Sequence, residues 1–149
     1  MLSMITIKID SEQLQKELAA LIQKAVDRRP LMKNIAGIMH NAVEENFAQE
    51  GRPKWVPLGQ KTIIARQKKG YWPGQILQQT GRLAASITQY ADNDQAVVGT
   101  NAVYAAIHQF GGKAGRGGKV NIPARPYLQL TDGDMEEILK AVKEYLKRD

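Results

Sequence analysis

The stretch Leu83–Thr100, LAASITQYADNDQAVVGT, decides how this chain folds. LAASITQY and QAVVGT carry β-branched and aromatic residues on either side of ADND, whose Asp and Asn side chains favour a turn. The stretch therefore predicts two antiparallel strands, a hairpin. Directly downstream comes YAAIHQFGG, Tyr104–Gly112, which predicts a two-turn helix over Ala102–Phe110 stopped by Gly111 and Gly112. KAGRGGK (113–119) reads as a flexible cationic loop. VNIPARPYLQLT (120–131) is broken by Pro123 and Pro126, which suits an edge strand or extended arm more than a central strand.

Upstream of the hairpin, Gly51–Gly81 is punctuated by Pro53, Pro57, Pro73 and several glycines and holds both tryptophans, Trp55 and Trp72. It reads as a long irregular excursion with a short helix near Lys61–Lys68. A loop of such length is often functional. Before it, Ile5, Ile7 and Ile9 alternate as in a strand. Asp10 and Gln13 form a capping-box pair ahead of Leu14, Leu18, Leu21, Ile22, Ala25 and Val26, a helix reaching to about Arg28. Pro30 opens a second helix with an apolar face of Leu31, Ile35, Ile38, Met39, Ala42, Val43 and Phe47, for which Gly51 supplies a left-handed cap. At the other end, Asp134 and Glu137 read as a capping box before a helix lined by Met135, Ile138, Leu139, Val142, Tyr145 and Leu146, with Lys147 and Arg148 at its negative end. The predicted fold class is α+β. Residues 1–149 form a single domain, with two N-terminal helices and one C-terminal helix around a small, mostly antiparallel sheet.

Composition narrows the chemistry. Hydrophobic residues at 43% and charged residues at 24% exclude wholesale disorder. No apolar run approaches the roughly 20 residues of a membrane span, and MLSMITIKID lacks the pattern of a secretion signal, so neither insertion nor export is expected. Zero cysteines exclude disulfides, thiolate nucleophiles and cysteine-ligated zinc. The net charge of +6 favours contact with nucleic acid or acidic protein surfaces, and much of it lies in the middle and in one loop: Arg52, Lys54, Lys61, Arg66, Lys68, Lys69, then Lys113, Arg116, Lys119 and Arg125.

Catalytic constellations fail one by one. His40 and His108 are the only histidines, far apart, and neither has a second histidine at helical spacing, so no metal site is expected. Ser86 lies in LAASIT, which is not a nucleophile elbow. GGKAGRGGK is not a Walker A loop, because Val120 follows Lys119 and Lys113 stands where glycine is required. Glu44, Glu45 and Glu50 read as solvated helix residues. Trp55 and Trp72 either stack on bases or, the favoured reading, anchor the excursion to the core.

Four segments in this order, EGRPKWVPLGQKTI, LQQTGRLAASI, VVGTNAVYAAIHQFGG and IPARPYLQL, resemble the phage virion morphogenesis or tail completion family that includes the G protein of Mu-like phages. The resemblance covers about two thirds of the chain and rests on the combination. Its matching residues are Trp55, Pro57, Leu58, Gly81, Leu83, Ser86, Tyr104, His108, Gln109, Phe110, Gly111, Pro123, Arg125 and Pro126. It implies a non-enzymatic structural protein, without cofactor or metal, acting at tail completion or the head–tail junction. Its setting would be the host cytoplasm during assembly and the tail or neck of the virion, with no membrane involved.

On that reading Tyr104, Ile107 and His108 share one helix face, Phe110 covers the core edge, and Gly111 and Gly112 reverse the chain. The expected mechanism is self-association into a ring, with Lys113, Arg116, Lys119, Arg125, Pro126 and Tyr127 as interface candidates. The expected partners are this chain itself, tail tube or connector proteins, and DNA contacted non-specifically in a lumen. The alternative is a small basic nucleic-acid-binding protein or a ribonuclease toxin using His108, Arg125 and Lys119.

Overall fold

A computed structural model describes residues 5–6, 16, 19–20, 27–74, 76–77, 81–102 and 105–147. Its longest element is α1 (Arg29–Ala48), with Pro30 in the first turn, where the missing amide hydrogen leaves no bond unmade. Leu31, Met32, Ile35, Ala36, Met39, Ala42, Val43, Asn46 and Phe47 recur every three or four residues and are buried. The helix ends as Glu50 turns left-handed (φ 55°), followed by Gly51 (φ 100°), whose N–H donates to the Asn46 carbonyl at 2.8 Å. Glycine is required there, since a Cβ would stand 2.5 Å from Trp55 Cδ1.

The predicted hairpin forms, shorter than expected. β2 (Thr88–Ala91) pairs antiparallel with β3 (Ala96–Thr100) in the register Thr88↔Gly99 to Ala91↔Ala96. Asp92 closes the turn, its Oδ1 accepting the backbone N–H groups of Asp94 and Gln95 at 2.8 and 3.0 Å. β1 (Ile5–Thr6) adds to the other side of β3, giving the order β1–β3–β2. Leu83–Ala85, expected in the first strand, instead belong to a one-turn helix over Arg82–Ala85, entered through left-handed Gly81 (φ 76°). Leu and Ala favour helix, and the β-branched residues begin only at Ile87. Ser86 closes the turn, donating to the Leu83 carbonyl at 2.6 Å while its hydroxyl lies 2.7 Å from that of Thr100.

The turn also fixes the start of α1. Arg28 donates its backbone N–H to Asn93 Oδ1 (3.0 Å) and its Nε to the Asn93 carbonyl (2.9 Å), and pairs with Asp94 at 2.8 Å. Helix α1 packs against both the hairpin and the C-terminal helix, Asp132–Leu146. The core joins Leu31, Ile35, Met39, Val43 and Phe47 to Leu83, Ile87, Val98, Tyr127, Ile138 and Val142. Each such aliphatic side chain contributes about 1.5–3 kcal/mol through burial.

The C-terminal helix starts earlier than expected. Its capping box is Thr131–Asp134: Thr131 Oγ1 accepts the Asp134 N–H at 3.1 Å, and Asp134 Oδ2 accepts that of Thr131 at 2.9 Å. Asp134 is thus the reciprocal partner and not the cap. The short helix of the excursion spans Gln60–Lys68, and the YAAIHQFGG helix spans Ala105–Phe110. In chain order these helices after α1 are α2 (Gln60–Lys68), α3 (Arg82–Ala85), α4 (Ala105–Phe110) and α5 (Asp132–Leu146).

The expected loop KAGRGGK is a second hairpin. β4 (Gly112–Ala114) pairs with β5 (Val120–Ile122), joined through a 3₁₀ turn at Arg116–Gly118. Gly115, Gly117 and Gly118 all adopt positive φ, which turns the chain tightly enough for short strands to meet. Of the first predicted helix, Lys16, Ala19 and Ala20 are helical, while all of its predicted apolar positions lie outside the described residues, as do Ile7, Ile9, Asp10, Gln13, Tyr104 and Arg148. No helix among the described residues is long and apolar enough to cross a membrane.

Candidate assembly surface

The segments that are neither helix nor ladder pose a physical problem: their buried backbone groups need partners that no strand supplies. Two such segments, Trp55–Leu58 in the excursion and Pro123–Leu130 before α5, meet, and side chains supply the bonds. Arg125 donates from Nε to the Val56 carbonyl (2.9 Å) and from Nη2 to that of Pro57 (3.1 Å). Trp55 Nε1 donates to the Pro126 carbonyl at 2.9 Å. Asn46 Nδ2 donates to the carbonyls of Tyr127 (2.7 Å) and Gln129 (2.8 Å). Gln109 Oε1 accepts the N–H groups of Tyr127 (3.0 Å) and Leu128 (2.9 Å), and its Nε2 donates to the Leu128 carbonyl (3.2 Å). One amide side chain thus does for the arm what a neighbouring strand would.

Helix α4 is the clamp. The His108 carbonyl accepts the Arg125 N–H at 2.8 Å, and the Ala105 carbonyl accepts the Tyr127 hydroxyl at 2.8 Å. Tyr127 is fully buried, its ring tilted against Phe47 at 5.2 Å between centroids, with Trp55 edge-on to Phe47 at 6.0 Å. Gly111 lets the arm pass: a Cβ there would lie 2.7 Å from the Ala124 nitrogen. The motif segments WVP, HQFGG and IPARPY are therefore one connected piece of scaffold. The favoured reading of Trp55 as an anchor holds, and Trp72 is half-buried.

Two expectations need correction. Arg125 and Tyr127 face inward, because the carbonyls of Val56 and Pro57 and the pocket beside Phe47 hold them, so neither projects to a neighbour. Pro126 is only partly exposed, its carbonyl taken by Trp55. Phe110 does not cover the core edge; it is 68% exposed, on the far side of the last turn of α4 from Ala105. Pro57 and Pro123 are exposed and hold the backbone at each side of the arm contact, while Leu83 is buried and Gly81 partly so.

His108 is half-buried beside two cations. Burial first, then the charges of Arg125 and Arg66, lower its pKa from the ordinary 6.5, so it stays neutral at physiological pH. Burial also lowers the pKa of Arg125, as does the charge of Arg66. The structure brings His108 and Arg125 together as the nuclease alternative requires, yet Arg125 is buried and its guanidinium is bonded to carbonyls, not offered to a phosphate. Lys119 is exposed on the second hairpin. Among the described residues no three His, Asp or Glu side chains converge as a metal site.

The outward-facing candidates are Lys113 and Lys119 of the hairpin. Lys113 and Lys119 are exposed, as is Val120 at 51%, and Arg116 lies in the connecting turn. Sequence reasoning missed Asn46 and named Arg52 only as part of the basic charge. Arg52 donates to Asn46 Oδ1 (2.7 Å) and the Ala42 carbonyl (2.7 Å) and pairs with Asp134 (2.9 Å), so one guanidinium joins the end of α1 to the start of α5. Asn46 had a signal: it stands three residues after Val43 and seven after Met39, on the apolar face, and a polar side chain there must find partners. Arg66, also missed as a buried residue, donates to the Ile76 carbonyl at 2.6 Å and holds the end of the excursion.

A family model described as the phage virion morphogenesis family matches residues 9–147. The chain is 48% identical over 145 residues to Mu-like prophage FluMu G protein 2 of Haemophilus influenzae, covering 97% of each. It is 31% identical over 144 residues to protein G of Escherichia phage Mu, a protein named for capsid assembly, covering 93% of this chain and 92% of that one. An uncharacterized protein of Methanocaldococcus jannaschii is 29% identical over 143 residues, covering 91% of this chain and 93% of that one. No solved structure matches.

Proposed function

Since the chain belongs to the phage virion morphogenesis family, we propose that it is a non-enzymatic assembly protein that acts at tail completion or the head–tail junction by forming a homo-oligomeric ring. The observation that carries this reading is the use made of the motif residues. Trp55, Gln109, Arg125 and the His108 carbonyl are tied together through backbone hydrogen bonds, and this use of the motif residues as a frame supports a structural role. What the frame presents outward is a small cationic hairpin. In a ring each copy offers one patch to a different patch of its neighbour, and rotation closes the set. The ring then caps or joins the tail tube or connector, in the host cytoplasm during assembly and in the tail or neck afterwards. Its basic surface faces either passing DNA or acidic neck proteins.

The test has two parts. Light scattering on purified protein should give a defined multiple of 16.6 kDa. Phage lacking a working copy should accumulate heads and tails that do not join or complete, and electron microscopy reads this directly. A 16.6 kDa species at all concentrations, together with normal particles in its absence, would remove the reading.

A further inference from the structure

The hairpin β4–β5 is too small to be stable on its own, since two strands need further packing to persist in water. Its register places Gly112, Ala114, Val120 and Ile122 on one face and Lys113 and Asn121 on the other. Val120 on the apolar face is 51% exposed, and Phe110 at the base is 68% exposed. An apolar face with Lys119 beside it and Lys113 on the reverse side fits a protein surface better than a phosphate backbone, which offers no partner to Val120 or Phe110.

Charge identifies the protein. From Gln95 to Thr131 the chain has four cations and no acid, whereas from Asp132 to Glu144 it has five acids and two lysines. Asp132, Glu136 and Glu137 are exposed in the first turns of α5, and the Arg52–Asp134 pair brings the end of α1, with exposed Glu45, to the same corner. Two unlike patches of opposite charge on one chain are what a head-to-tail contact between copies needs. We propose that the β4–β5 hairpin of one copy docks edge-on at the acidic start of α5 of the next, Val120 and Phe110 covered along one side of the ribbon and the long side chains of Lys113, from its other side, and Lys119, from its turn, reaching round to Glu136 and Glu137. This rests on the self-association reading and names its surface.

A charge swap tests it. Variant one carries Lys113→Glu and Lys119→Glu; variant two carries Glu136→Lys and Glu137→Lys. Each alone meets like charge at every contact and should run at 16.6 kDa by light scattering where the wild type is assembled. Mixed in equal amounts, each hairpin faces a complementary corner and the assembled mass should return. Val120→Asp should also dissociate the wild-type assembly, with circular dichroism confirming the fold in all variants. If both charge variants assemble alone, or if both are monomeric and the mixture stays so, the docking is wrong while self-association stands. If the wild type never assembles and binds duplex DNA through Lys113 and Lys119, both fall.

Discussion

The hairpin Gly112–Ile122 and the arm Pro123–Thr131 are neighbours in sequence, cationic, and punctuated by residues that discourage ordinary strands. They finish in opposite circumstances. The hairpin is turned by glycines with positive φ, bonds to itself, and leaves Lys113, Lys119 and Val120 in solvent. The arm is stiffened by Pro123 and Pro126 and cannot pair with itself. Its carbonyls and amides are taken up by Trp55, Asn46 and Gln109, and its own Arg125 and Tyr127 point inward. Glycine makes a segment self-sufficient and free to project, whereas proline makes it dependent on partners elsewhere and so draws it into the core.

That contrast breaks most visibly at Tyr127. Tyr127→Ala removes a fully buried ring and its bond to Ala105, and should destabilise the chain by about 3–5 kcal/mol, whereas Tyr127→Phe should lose only about 1 kcal/mol. Urea denaturation measures both, and a mild effect of the alanine change would mean that the arm is not part of the core. Next in size is Asn46→Leu, which strands the carbonyls of Tyr127 and Gln129 and one donor of Arg52, for about 2–3 kcal/mol by the same measurement.

A smaller effect comes from His108. Its pKa in the folded chain is lowered, so the unfolded chain takes up the proton first as pH falls. The stability involved is fully present above about pH 6.5 and is lost as pH falls through the lower folded value. His108→Gln should flatten the dependence of the denaturation midpoint on pH between about 7.5 and 5. An unchanged slope would show that the ring is not buried beside Arg125 and Arg66. The smallest effects belong to the hairpin: Lys113→Ala and Lys119→Ala should each change monomer stability by no more than about 0.5 kcal/mol. A loss above about 1 kcal/mol would make the hairpin a core element and erase the contrast.

The helices were legible because burial imposes a three-to-four spacing that Leu31–Phe47 and Met135–Leu146 display openly, and the ADND turn was legible because Asp92 bonds the amides next to it. The arm was legible as stiff and extended but not in its direction. A free guanidinium belongs in water, and only the meeting with Val56 and Pro57, 69 and 68 residues away, reverses that preference for Arg125. Phe110 misled in the opposite sense, since an aromatic is expected inside. The interface candidates were half readable: local charge marked Lys113 and Lys119, but whether a basic run projects or folds under depends on contacts that no local pattern encodes.

The pairing of β1 with β3 has a kinetic side. Ile5 and Thr6 are made 95 and 93 residues ahead of their ladder partners, Thr100 and Gly99. At translation rates of about 5–20 residues per second, the opening strand waits roughly 5–20 s for its partner to be synthesised. Until then it is an unpaired edge, and in a cell making many copies at once nascent chains share that exposure. Closing the sheet is thus an event of high contact order, after which β1 is fastened by a strand more than 90 residues downstream of it.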